Sequence, residues 1–214
     1  MAVLLGLSLM LVPLALCSGQ AGEESTRLGL LVDAADSIPA DVLAAFRQET
    51  ERVLPLKLVS IHWRRMRRQN ESESFDRLIV VRLVGECKPW QEPSPVPIGP
   101  LGVTHISDGR ILPFVEADCG RVISAAQRLR RHPFRLGAEE LGRALGRVIA
   151  HEIYHVLSAS SVHDEQGLSK SALSAAELFL PGAGFAPAAL ERMASGLPRR
   201  TLQAVAAPLP PESN

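Results

Sequence analysis

The strongest constraint on the fold is a long segment of helical periodicity that leads into two closely spaced histidines. Residues 138–158 carry their apolar side chains at helical spacing, and two glutamates fall in the first turn, where they suit the helix dipole. The apolar face consists of Leu141, Ala144, Leu145 and Val148. Because this face continues into the segment HEIYH at 151–155, both histidines are expected to face the protein interior or the floor of a cleft.

The HEIYH segment has the spacing of a metal site. His151 and His155 are four residues apart, so a helix places both imidazoles on one face. Two neutral imidazoles directed at one point suit Zn²⁺, whose bonds to nitrogen are about 2.0–2.1 Å long. Glu152 is rotated by about 100° from His151, so it flanks the ion and can accept a proton from a water that the metal activates. The sequence therefore predicts a Zn²⁺ cofactor with Glu152 as the catalytic base.

The third ligand has three candidates. A catalytic zinc usually has three protein ligands and one open position. His163 is the first candidate, because the segment SASS at 158–161 can end the helix and turn the chain back to the metal. Glu177 is the rival, on a predicted short helix twenty-two residues after His155, and Asp164 is the third candidate. The spacing leaves the choice open.

The rest of the chain predicts one α+β domain around this helix. Short apolar or alternating runs predict strands, and Asp108-Gly109 between two of them is a hairpin signal. The predicted strands are 28–33, 56–63, 76–85, 101–107 and 110–116, and the other predicted helices are 39–53, 119–131, 174–180 and 187–195. Pro113 lacks a backbone donor, so its strand is expected at a sheet edge or with that side exposed. We expect a mixed twisted sheet, a long active-site helix and a mostly helical C-terminal part.

The first residues indicate export. Residues 1–21 are an apolar run that ends in small residues, which is typical of a signal peptide. We expect a secreted or periplasmic protein with a catalytic domain at 25–200 and a disordered tail at 201–214. Cys17 offers a lipid anchor to a membrane, but the bulky Leu16 before it does not suit a lipoprotein signal.

The two cysteines beyond residue 21 predict a covalent link. Removal of the signal peptide leaves Cys87 and Cys119 as a pair. In an oxidising compartment, we expect them to form one disulfide bond.

The charge balance argues against one class of partner. Lys plus Arg and Asp plus Glu number 23 each, and aromatic residues make up 4% of the chain. No overall positive field would attract nucleic acid, so the expected partner is a peptide or protein substrate at a local site. The oligomeric state is not indicated.

The segment HEIYHVLSASSVH at 151–163 resembles the active-site sequence of the zincin zinc metallopeptidases, and the order of the predicted elements is similar to their metzincin branch. This resemblance implies a zincin-like domain with protease activity, in which His151 and His155 bind zinc and Glu152 is the general base. It also implies that an edge strand before the helix binds the substrate backbone, with 102–106 and 111–115 as candidates.

The spacing to the third ligand differs from the metzincin pattern. That pattern has glycine three residues after the second histidine and the third ligand six residues after it, where this chain has Ser158 and Ser161. His163 comes two residues later, so the turn after the helix must be built differently. Tyr154, inside the motif, is expected to pack beside the site.

Three functions remain in competition. The first is an exported zinc-dependent metallopeptidase that hydrolyses peptide bonds by metal-activated water with a glutamate base. The second is a non-catalytic zinc-binding protein on the same scaffold, and the third is an interaction module that needs no zinc. Glu152 favours the first, because a purely structural zinc site needs no base.

Overall fold

The computed structural model describes residues 25–34, 37–57, 59–66, 73–89, 99–127 and 136–198. The predicted signal peptide with Cys17 and the predicted tail at 201–214 lie outside the described residues. Within the described ranges, no helix is long and apolar enough to cross a membrane.

Five strands form one mixed sheet. They are β1 (Thr26–Ala34), β2 (Val59–Arg65), β3 (Arg77–Val84), β4 (Gly102–Ser107) and β5 (Arg110–Asp118), in the spatial order β2-β1-β3-β5-β4. β4 pairs with β5 in antiparallel orientation, and the other neighbours are parallel. The hairpin signal at Asp108-Gly109 is confirmed, and β4 is an edge strand.

The helices lie at the positions that periodicity predicts. They are α1 (Ala40–Val53), α2 (Cys119–Gln127), α3 (Ala138–Ser158), α4 (Ala175–Phe179) and α5 (Pro187–Ser195), with a 3-10 turn at Gly167–Ser169. α3 is the central element, because it contacts β4, β5 and each of the other helices. The predicted α+β architecture, with a mixed sheet, a long helix and a mostly helical C-terminal part, is confirmed.

Burial alternates along the strands, so the sheet has an inner and an outer face. On β3, Ile79, Val81 and Leu83 are buried in the core, whereas Leu78 and Arg82 are exposed. This period of two is expected for a sheet that is covered by helices on one side. The inner face packs against the apolar faces of α1 and α3 in one core.

Two glycines let α1 and α3 approach until their backbones touch. A Cβ atom at Gly142 would lie 2.7 Å from the Val42 carbonyl oxygen, and one at Gly146 would lie 2.9 Å from the Phe46 carbonyl oxygen. Any larger side chain at either position would push the helices apart. The close contact therefore determines where α3 lies relative to α1.

A buried ion pair joins the same two helices. The Arg147 guanidinium is fully buried and donates through Nε to Glu49 of α1, 2.5 Å away. Its Nη1 donates to the carbonyl oxygens of Glu177 and Leu180, at 2.7 and 2.6 Å. Arg147 thus connects α1, α3 and the segment around α4, one helical turn before His151.

Burial and hydrogen bonding act in opposite directions on Glu49. Burial raises the pKa of this carboxyl, but hydrogen bonds from Arg52 and Arg147 outweigh it, so the pKa lies below its ordinary value. The carboxylate therefore stays charged beside the buried guanidinium. A buried charge without such a partner would cost several kcal/mol, in the range of about 3–5 kcal/mol for a broken buried pair.

The predicted disulfide is present in the structure. Cys87 follows β3, Cys119 begins α2, and their Cα atoms are 5.0 Å apart. Both cysteines are buried. The bond holds the start of α2 against the end of β3.

Of the two alternatives predicted for the strand of Pro113, a position at the sheet edge is wrong. β5 lies between β3 and β4. The missing donor is tolerated because pairing with β3 begins at Phe114, and the register with β4 shifts between Thr104 and Ile106. Pro113 therefore coincides with an irregularity in the ladder, where proline is accepted.

Most predicted element boundaries differ from the observed ones by one to three residues. β2 begins at Val59, three residues later than predicted, since Lys57 lies in a turn. α2 is described as far as Gln127, and the remainder of the predicted helix, 128–131, lies outside the described residues.

Replacing Arg147 tests the buried ion pair. We expect Arg147→Met to lower the free energy of unfolding by about 3 kcal/mol, because Glu49 keeps a buried charge with one partner fewer. Arg82→Met, which removes exposed pairs with Asp33 and Glu116, should cost less than about 1 kcal/mol. Urea denaturation at pH 7 measures both variants.

The pH dependence of the free energy of unfolding tests the same ion pair. Because the pKa of Glu49 is lowered in the folded state, its contribution is complete above about pH 4.3 and is lost as the pH falls through the lowered folded-state value. The difference in the free energy of unfolding between wild type and Arg147→Met should therefore shrink in that acidic range. Equal losses for Arg147→Met and Arg82→Met at pH 7 would contradict the stabilising role.

Candidate metal centre

His151 and His155 are each oriented by a backbone carbonyl outside α3. The Nδ1 atom of His151 lies 2.6 Å from the Leu168 carbonyl oxygen, and that of His155 lies 2.7 Å from the Ser160 carbonyl oxygen. A carbonyl oxygen only accepts hydrogen bonds, so both Nδ1 atoms must carry the proton. In the neutral rings, both Nε2 atoms therefore present lone pairs.

The two Nε2 atoms lie 3.1 Å apart. Two lone pairs at this distance repel each other unless a cation lies between them. A tetrahedral zinc ion with nitrogen bonds of about 2.05 Å places its ligand nitrogens about 3.3 Å apart, close to the observed separation. The two rings thus fit a shared metal ion.

Burial keeps these rings in the form that binds metal. It lowers the pKa of both His151 and His155, because the charged imidazolium is poorly solvated there. Neutral imidazole is the form that coordinates zinc. In metal-binding histidines, the ring nitrogen that does not bind the metal commonly donates its proton to a group such as a backbone carbonyl, as both Nδ1 atoms do here.

The structure brings His163 to the same point. Its ring centroid is 5.2 Å from that of His151 and 4.7 Å from that of His155. Within the described part of the chain, these three histidines form the group that could hold a metal, with ligand atoms within 4.8 Å of one another. His163 is exposed, so it forms the open side of the group.

The other two candidate ligands have different partners. Glu177 pairs with Lys170 at 2.5 Å and caps α4 through Ser174, and the Lys170 hydrogen bond, followed by those from Ser174, lowers the pKa of Glu177 to about 2. Asp164 accepts from the Ser169 hydroxyl at 2.6 Å and pairs with Arg192. Neither carboxylate belongs to the histidine group.

The turn after α3 explains the unusual spacing. The helix continues through Ser158, and Ala159 adopts the left-handed conformation with φ 48°. The Ser160 amide then donates to the His155 carbonyl oxygen at 3.2 Å and closes the helix end. The reversal thus occurs one residue later than the glycine of the metzincin pattern, and the chain returns at His163.

Tyr154 and Arg192 hold the loop that follows α3 and leads to His163. The Tyr154 hydroxyl donates to the Val162 carbonyl oxygen at 3.1 Å and accepts from Arg192 of α5 at 3.2 Å. Arg192 also pairs with Asp164. Tyr154 packs beside the site, as predicted. Arg192 carries no local sequence signal, because its partner is 28 residues away.

Glu152 lines the same cavity as the three histidines and contacts the edge strand. Its side chain is buried, and its Oε2 accepts from the Thr104 hydroxyl of β4 at 2.6 Å. Burial raises the pKa of Glu152, although the Thr104 hydrogen bond and the nearby histidines partly oppose this. The resemblance made residues 102–106 and 111–115 candidates for the substrate edge, and of these β4 is the edge strand. Nothing in the sequence indicated the contact between Thr104 and Glu152.

A cavity of about 570 Å³ opens between β4 and α3. Its floor contains His151, Glu152, His155 and His163. Its walls are mostly apolar and include Leu101, Val103, Ile106, Ile111, Val148 and Leu173. The cationic side chain in the lining, Lys170, is paired with Glu177. The cavity therefore combines a polar floor with uncharged walls.

Comparisons with known proteins give no family. No protein-family profile matches the sequence, and no curated protein matches it. In structure, the chain is similar to archaemetzincin from Methanopyrus kandleri, with a TM-score of 0.44 and 13% sequence identity; the match covers 82% of this chain and 97% of that chain. Similarity at this level assigns neither a family nor a function to the chain.

A glycine at position 159 should stabilise the protein. The left-handed conformation costs a residue with a Cβ atom about 1 kcal/mol, so we expect Ala159→Gly to raise the free energy of unfolding by up to about 1 kcal/mol. Ala44→Gly, at an exposed position inside α1, is the matched control and should lower it by about 0.5–1 kcal/mol. Thermal unfolding of both variants measures the difference, and a loss at both positions would contradict this account of the turn.

Proposed function

We propose that this protein is an exported zinc-dependent metallopeptidase, in which His151, His155 and His163 bind the metal and Glu152 is the general base. One observation carries the proposal: half-buried His151 and buried His155 place their Nε2 atoms 3.1 Å apart while carbonyl groups hold both Nδ1 atoms. Such a pair is prepared for a cation. The exposed third histidine leaves room for a substrate.

The chemistry divides between the ion and the carboxylate. A zinc ion held by the three histidines would supply Lewis acidity, lowering the pKa of water there to about 7 and polarising a carbonyl group. Glu152 directly follows His151 in the chain, but its carboxylate is hydrogen-bonded to the Thr104 hydroxyl and not to the three histidines. Its carboxylate accepts the proton of the attacking water and delivers it to the leaving amide nitrogen.

The shape of the cavity favours a polypeptide substrate. β4 is an edge strand, and an extended peptide can add to such an edge through backbone hydrogen bonds. The floor of the cavity would then lie beside the bound peptide, next to Glu152. The apolar walls suit substrates with uncharged side chains around the scissile bond.

The disulfide supports the export part of the proposal. Cys87 and Cys119 are bonded and buried in this structure. Structural disulfides persist mainly in oxidising compartments such as the secretory pathway or the periplasm. A secreted or periplasmic location follows from the proposal, together with cleavage of the predicted signal peptide at 1–21.

Metal analysis tests the ligand set. We expect one zinc ion per chain, and we expect His163→Ala to weaken zinc binding by at least about a hundredfold, since loss of an outer partner alone costs about 10–100-fold. Glu177→Ala is the matched control and should bind zinc like wild type. Chelator competition measures both affinities. Loss of zinc in Glu177→Ala but not in His163→Ala would assign the third ligand to Glu177.

Cleavage of a mixed peptide library tests the enzyme activity. We expect wild type to cleave preferentially between uncharged residues, and we expect Glu152→Gln to lose about 10²–10⁴-fold in kcat because no general base remains. Zinc content should be unchanged in this variant. Zinc without cleavage in wild type would establish the non-catalytic zinc-binding protein, and a zinc-free protein would favour an interaction module.

A further inference from the structure

We propose that Thr104 is a positioning residue for Glu152: its hydroxyl holds Oε2, so that Oε1 is the oxygen that accepts the proton. The contact itself is independent of what the protein does. Its use in catalysis rests on the proposed peptidase function. Thr104 lies on the strand that forms one side of the cavity, and Glu152 lies on the helix that forms the floor.

The hydrogen bond is of the strong kind. The Thr104 Oγ1 to Glu152 Oε2 distance is 2.6 Å, within the range of about 2.5–2.7 Å for a hydroxyl that donates to a carboxylate. Glu152 is 7% exposed, and a carboxylate buried to this extent needs donors. Thr104 therefore determines which way the carboxylate of Glu152 is turned.

Gly102 provides the space for the second oxygen. Gly102 and Thr104 are two residues apart on β4, so they share one face of the strand. A Cβ atom at Gly102 would lie 2.8 Å from Glu152 Oε1 and 2.6 Å from Val148 Cγ1. The strand thus holds one carboxylate oxygen through Thr104 and leaves the other beside a residue without a side chain.

The arrangement assigns separate roles to the two oxygens. Oε2 of Glu152 accepts the hydrogen bond from the Thr104 hydroxyl. When water attacks the carbonyl carbon, a C–O bond forms, the water's O–H bond breaks and an Oε1–H bond forms. The proton then passes from Oε1 to the amide nitrogen as the C–N bond breaks. Because β4 is also the edge where a peptide can add, one strand positions both the substrate backbone and the base.

A simpler role for Thr104 must be distinguished from this one. Its hydroxyl also lies 3.1 Å from the backbone carbonyl oxygen of Glu152, so it could join β4 to α3 without directing the carboxylate. One hydroxyl proton cannot make both bonds at full strength. The bond to the carboxylate is the shorter of the two, which favours positioning.

Kinetics of two substitutions test the catalytic role. Thr104→Val keeps the shape and removes the hydroxyl, and we expect kcat to fall by about ten- to a hundredfold with KM within about twofold. Thr104→Ser restores the hydroxyl and should recover kcat to within about threefold. Thr26→Val, which removes a hydroxyl bonded to the Pro198 carbonyl, is the control and should leave kcat unchanged.

The opposite kinetic pattern would overturn the proposal. A raised KM with unchanged kcat in Thr104→Val would place Thr104 in substrate binding. Failure of Thr104→Ser to recover activity would show that the hydroxyl is not the important group. Equal zinc content in all variants, measured by elemental analysis, excludes loss of metal as the cause.

A double-mutant cycle tests the contact without any activity. In metal-free protein, we expect Thr104→Val to lower Tm by about 3–6 °C in wild type but by less than about 1 °C in Glu152→Met, which has no carboxylate to hold. Equal losses in both backgrounds would mean that the hydroxyl acts through the backbone carbonyl, and the positioning role would be refuted. If wild type cleaves no peptide, the proposed function fails while this cycle still decides the role of Thr104.

Discussion

The ion pair between Glu49 and Arg147 determines how the rest of the molecule is arranged. The buried Arg147 guanidinium finds an acceptor for Nε in α1 and two carbonyl acceptors for Nη1 around α4, whereas its Nη2 has no hydrogen-bond partner among the described residues. Three separate elements must therefore meet at one point of α3. This requirement fixes the rotation of α3 about its axis and its position along that axis. It thereby fixes the direction of the histidines, which begin one turn later.

The candidate metal centre depends equally on backbone outside the helix. The carbonyl groups of Ser160 and Leu168 orient the two helical histidines, and Tyr154 and Arg192 hold the loop that returns at His163. The helix supplies the spacing of His151 and His155, whereas the segment after it supplies their orientation. The arrangement of the three histidines is thus organised by protein contacts alone.

Local patterns predicted much of this structure, whereas most contacts between distant segments, apart from the disulfide between Cys87 and Cys119, could not be predicted. The helical periodicity of 138–158 and the Asp108-Gly109 turn are encoded by neighbouring residues, so α3 and the hairpin followed from the sequence. The burial of Arg147 could not follow, because arginine is ordinarily a surface residue and its partner is 98 residues away. The hydrogen bond from Thr104 to Glu152 and the accommodation of Pro113 inside the sheet likewise depend on pairing between distant segments.

The parallel strands have a consequence for the order of folding. β1, β3 and β5 are parallel neighbours, so each pairing must close a long loop. The entropy cost of closing the loop comes before the stabilising contacts form. α1 cannot complete its ion pair until Arg147, 98 residues after Glu49, has been synthesised. The segment from β1 to β5 is therefore expected to remain incompletely packed until α3 is available, and the histidines should converge only after α3 has packed.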